Sequence, residues 1–102
     1  MDARIERYRK MVEQAPEHEL PRFSLGKALF DLEQYSEALE HFKVAIQKKP
    51  DWMAVQILIA RCQINLGDKT SARQALEHAR QLAIKQKHEG PLAEVEALLE
   101  EV

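Results

Sequence analysis

The chain has 102 residues, 45% of them apolar and 31% charged, with three glycines and four prolines, which fits one small domain. Fifteen Lys and Arg against 17 Asp and Glu leave a formal charge of -2, so charge gives no reason to expect a nucleic-acid or membrane partner and points to proteins. The single cysteine, Cys62, has no internal disulfide partner, the charged segment after Met1-Asp2 lacks the apolar core of a signal peptide, and no run approaches the roughly eighteen apolar residues of a membrane span; a cytoplasmic chain is expected.

Asp2 is placed to cap a first helix over residues 3–14, which Ala15-Pro16 ends. Residues 17–20 form a link, and Pro21 falls in the first turn of a second helix, where its missing N–H costs nothing. Leu25, Gly26 and Leu29 mark one face of that helix at a spacing of three and four. Ala38, Phe42 and Ala45 do the same for a third helix, which Pro50 ends. The run Glu33-Gln34-Tyr35-Ser36 makes the turn between them, with Ser36 as N-cap and Glu37 at the positive helix end. Two facing helices need small residues where their backbones approach, and Gly26 against Ala38 is the expected contact.

Asp51 is expected to cap a fourth helix, opening a second copy over residues 53–86 in which Ile59-Ala60, Leu66-Gly67-Asp68, Ala72, Leu76 and Ala79 recur in the same register. Gln56 and Gln63 stand at sites that are large and apolar in such a pattern, and Thr70 is the expected cap of the fifth helix. Ile84 replaces a terminating proline, so that helix should run on to about Lys87. Cys62 falls beside the apolar stripe and reads as a small packed hydrophobe. Gly90 is read as a stop and Pro91 as the start of a last helix over residues 92–102, where Leu92, Val95 and Leu99 repeat the first-helix spacing and Glu96 occupies the small site.

Leu25-Gly26, Leu29, Tyr35, Ala38, Phe42, Ala45 and Pro50 follow a 34-residue pattern that resembles the tetratricopeptide repeat. Arg22 departs from it, standing where that family often has Trp. Pro16 precedes Pro50 by one period, and Tyr8 and Met11 precede Phe42 and Ala45 likewise, so the first helix resembles the second half of a repeat, with Arg4 in place of the small residue. The resemblance implies an all-α fold of antiparallel helical hairpins stacked as a short right-handed solenoid. It implies a single domain over 1–102, divided into a half-repeat helix (3–16), a repeat (19–52), a second repeat (53–88) and a capping helix (91–102).

His18, His41, His78 and His88 show no metal-ligand spacing and read as solvated helix-surface residues, and Glu37, Glu40 and Glu77 read as solvating charges. Gly26 and Gly67 are isolated, so no phosphate loop is formed, and no nucleophile motif is present. The expectation is therefore no enzyme, no metal and no cofactor. By the resemblance, the first helices of the two repeats line a concave groove with Phe23, Lys27, Phe30 and Asp31, then Ile57, Arg61, Ile64 and Asn65. Phe23 with Ile57 and Phe30 with Ile64 would make apolar rungs, and Lys27 with Arg61 a basic one. This implies a protein-interaction module for an extended or helical segment with acidic and apolar side chains. The carboxylate clamp of chaperone-binding members is not expected, because Phe23 and Ile57 replace its polar groups. The alternative is a structural oligomerisation unit, a weak homodimer in which Leu98, Leu99 and Val102 of one molecule meet Phe23, Phe30 and Ile57 of another while Glu100 or Glu101 approaches Lys27 and Arg61.

Overall fold

The computed structural model describes residues 2–102. Six helices and no strand occur among them: α1 (Ala3–Gln14), α2 (Glu19–Asp31), α3 (Tyr35–Lys48), α4 (Met53–Asn65), α5 (Lys69–Gln86) and α6 (Glu89–Leu99). Packing divides them into two compact units, one reaching to Pro50 and the other spanning Asp51–Val102. Among the described residues, no helix is long and apolar enough to cross a membrane.

In the first unit α2 and α3 form a helical hairpin, and α1 packs on α2. The hairpin core is Leu25, Ala28 and Leu29 from α2 with Ala38, Phe42 and Ala45 from α3, all buried. Gly26 lies against the Phe42 ring, where a Cβ on the glycine would come within 2.7 Å of ring carbon Cε1. The close approach is thus glycine to a large aromatic ring, where the sequence suggested glycine to Ala38. Burial of the whole Phe42 ring is made possible by the missing side chain opposite it.

The second unit repeats the hairpin in α4 and α5, and α6 packs on α5. Met53, Ile57, Ala60, Leu76, Ala79, Ala83 and Val95 form its core, with Leu92, Leu98, Leu99 and Val102 packed against it. Arg73 Nη2 donates to the backbone oxygen of Val102, fastening the end of the chain to α5. Cys62 is fully buried, and desolvation pushes its thiol up to about 12, which suits a packed apolar residue rather than a reactive one.

Helix termini differ from the sequence reading in several places. Asp2 caps α1 as expected, accepting from the Arg4 N–H at 2.9 Å. The second helix begins at Glu19 rather than after the 17–20 link, because His18 Nδ1 accepts from the Leu20 N–H at 3.2 Å and caps it. Ser36 and Thr70 lie inside the first turns of their helices. Gln34 holds the N-cap of α3, and Asp68 caps α5 by accepting from the Ser71 N–H at 3.1 Å. Trp52, not Asp51, occupies the N-cap of α4. Gly90 does not stop a helix; the left-handed residue ending α5 is Lys87, at φ 58°, and Gly90 lies within α6. At the turns inside the hairpins, Glu33 and Gly67 take φ 61° and 82°, a left-handed conformation that is natural for glycine and more costly for glutamate.

Candidate functional site

Four of the eight residues expected to line a binding surface lie on α2, and the structure gathers them. Phe23 is half-buried, its ring centroid 6.2 Å from that of Phe42. One turn on, Lys27 is exposed, with Nζ 2.7 Å from Asp31 Oδ1 and 5.9 Å from the centroid of the Phe30 ring. Phe30 is half-buried and packs edge-on against Tyr35, with centroids 5.4 Å apart and planes at 76°. Helical spacing of three and four places Phe23, Lys27 and Phe30 in one row. The α3 rings behind hold the aromatic edges, while the cation is tethered by one i,i+4 pair that water screens and that is readily exchanged.

The α4 residues do not repeat this row. Ile57 is 6% exposed and belongs to the core of the second unit, together with Val95 and beside Leu92, so it presents no apolar rung to solvent. It shares that cluster with residues of α5 and with Val95 of α6, and this packing takes a side chain that an isolated α4 would expose. Arg61 turns the same way, Nη2 donating to Glu94 Oε2 at 2.7 Å. Asn65 Nδ2 donates back to the Arg61 carbonyl at 2.8 Å, and Ile64 is half-buried against the core. The helix read from sequence as a cap packs on α5 and reaches α4 through the Glu94–Arg61 pair.

A polar cluster that the sequence reading missed links the helices of the first unit. His41, read as solvated, is 9% exposed. Arg22 Nε donates to the Pro16 carbonyl at 2.7 Å, and its Nη1 lies 3.0 Å from His41 Nδ1. A guanidinium can only donate, so Nδ1 accepts and the imidazole proton sits on Nε2, which faces Glu37 Oε2 at 3.5 Å. Glu37 is also gripped by both terminal nitrogens of Arg9, one of them at 3.1 Å. Burial keeps His41 below its usual value, opposed by the hydrogen bond to Glu37 and reinforced by the nearby Arg22 charge. The Arg9 hydrogen bonds hold the Glu37 carboxyl below the usual carboxylate range. Arg22, which departs from the family's Trp, thus ties the α1–α2 link to α3 through hydrogen bonds. One signal was available in the sequence: Glu37 and His41 stand four apart, one above the other on a helix.

Repeated helical hairpins with a glycine or alanine at the crossing, Gly26 in one and Ala60 in the other, define the tetratricopeptide-repeat class. The chain belongs to the family described as regulator of microtubule dynamics protein 1-3, which matches residues 9–102. It is 33% identical over 73 residues to the TPR repeat-containing protein PA0015 of Pseudomonas aeruginosa, covering 72% of this chain and 70% of the relative. Protein BPP2914 of Bordetella parapertussis has a solution structure that superposes with a TM-score of 0.84 at 29% identity, covering 99% of this chain and 88% of that one. The TPR2B domain of yeast Sti1, solved in complex with pHsp70, superposes with a TM-score of 0.83 at 26% identity, covering 93% of this chain and 76% of that one.

Proposed function

We propose that the chain is a protein-interaction module that binds an extended or helical protein segment on the α2 row of Phe23, Lys27, Phe30 and Asp31. The observation that carries this reading is the pairing of two half-buried aromatic rings with an exposed, loosely tethered cation between them. Such a row suits a segment with an acidic side chain between two apolar ones: the acid replaces Asp31 at Lys27, and the apolar groups cover the ring edges. The Sti1 domain in complex with pHsp70 supports the reading, because it shows a similar fold holding a protein ligand. The family's description, regulation of microtubule dynamics, is likewise compatible with a protein partner. Ile57, which is buried, and Arg61, which is paired with Glu94, are left out of this surface. A cytoplasmic setting belongs to the same proposal, supported by the lone buried cysteine.

Calorimetric titration of a synthetic helical peptide carrying one glutamate flanked by leucines tests the reading. Binding to the parent chain that weakens about tenfold or more in Phe23→Ala and in Lys27→Glu is the expected result. Equal affinity for the parent and both variants would contradict it.

A further inference from the structure

Two helices of this chain leave exposed the face that the complete hairpin buries. In the repeat register α1 corresponds to a second helix: Arg4, Tyr8 and Met11 occupy the sites of Ala38, Phe42 and Ala45. In the complete hairpin those three are buried. In α1, Arg4 and Met11 are exposed, Met11 by 42%, and Tyr8 is half-buried under the Arg7 guanidinium, 5.7 Å from its ring centroid. In the same register α6 corresponds to a first helix. Leu92, Val95 and Leu99 face the core of its own unit, while Ala93, Glu96, Ala97 and Glu100 form an exposed row.

The two exposed faces are complementary in charge. Residues 3–14 carry four basic side chains against two acidic, and residues 89–102 carry five glutamates with no Lys or Arg. In the complete hairpin both of these sites are small and buried, Gly26 on one helix and Ala38 on the other. At the open faces the same two sites hold opposite charges, Glu96 and Arg4. Contacts seen in the first hairpin fix the pairing that would follow. Gly26 and Phe23 both meet Phe42, so their counterparts Glu96 and Ala93 would meet Tyr8. In antiparallel helices one turn forward on α6 is one turn back on α1, which brings Glu100 beside Arg4 and Leu92 toward Met11.

We propose that α6 of one copy docks on α1 of a second copy, forming between molecules a hairpin like that of α2 and α3, with Arg4 held between Glu96 and Glu100 and with Ala93 against Tyr8. The groups to be exchanged are weakly held. Arg4 reaches Asp2 at 3.4 Å, and Glu96 reaches Arg80 at 3.9 Å, both at exposed sites. Asp2 keeps its capping bond to the Arg4 N–H and sits on the same side, so the arriving pair of glutamates must outcompete one carboxylate for the Arg4 guanidinium. Because the two surfaces differ, each docked pair leaves one free α1 and one free α6, and the contact propagates head to tail unless a ring closes. This contact does not use the α2 row, so it stands or falls separately from the peptide-binding reading.

Sedimentation equilibrium over a wide range of concentration, at low and high salt, tests it on the whole 102-residue chain. The parent should rise in average mass with concentration, less so at high salt. Arg4→Glu, at an exposed site, should weaken association roughly tenfold. The triple variant Arg4→Glu, Glu96→Arg, Glu100→Arg, in which both faces are reversed, should recover it. A parent that stays monomeric throughout, association indifferent to Arg4→Glu, or failure of the triple variant to recover while circular dichroism shows it folded would each overturn the proposal.

Discussion

Gly26 faces a fully buried aromatic ring, and any side chain there must displace Phe42 from a site with no slack. Gly26→Leu should destabilise the chain by about 1 to 3 kcal/mol through overpacking, read as a lowered denaturant midpoint at unchanged slope. A midpoint equal to the parent's would contradict the contact. Gln63 presents the opposite situation: it is 7% exposed, and among the described residues its Oε1 has no hydrogen-bond partner. Gln63→Leu, close in volume and free of the unpaired oxygen, should stabilise by on the order of 1 kcal/mol. The apolar stripe of the α2–α3 hairpin was legible at this scale because its spacing repeats without interruption. Ile57 was not, since its burial depends on a cluster with residues of α5 and α6, and spacing within α4 carries no trace of them. His41 was misread for a related reason, as burial of a polar ring depends on partners from other helices.

Among the elements, α1, α2 and α3 are joined by polar contacts as well as by apolar ones. The chain Arg9, Glu37, His41, Arg22 and the Pro16 carbonyl touches all three helices and the link. Its pH behaviour follows from the two displaced groups. His41 is held neutral below its ordinary value of 6.5, so the unfolded chain takes up a proton that the folded chain refuses. Stability from this source is complete above about 6.5 and falls as the pH drops below it toward the folded value. Glu37 is displaced downward from 4.5, and its contribution, present above that value, is lost at still lower pH as the folded carboxyl protonates. Melting temperature should therefore fall between about pH 7 and about pH 5.5, and His41→Gln, which cannot titrate but can still accept from Arg22, should flatten that slope. An equal slope in the variant would assign the effect elsewhere. Helix existence and type were legible from the 3.6-residue period, whereas the caps were read one or two residues out. Ser36, Asp51 and Thr70 are good capping residues, yet the chain starts its helices at Tyr35, Met53 and Lys69.

For the whole molecule, the repeat pattern was sufficient to recover an all-α tetratricopeptide-repeat fold, because a fixed period constrains every helix at once. The surface was only half legible. The α2 row could be read since its residues alternate aromatic and charged groups on one helix, but the α4 row is drawn into the core and into a pair with Glu94. Binding on the α2 row is the central claim, and amide chemical-shift mapping tests it most directly. When the glutamate–leucine peptide is added to isotope-labelled protein, the account predicts that the shifted resonances cluster at Phe23, Lys27, Phe30 and Asp31, with Phe42 and Tyr35 following through their ring contacts. Shifts confined to α1 or α6, or none at peptide excess, would contradict it.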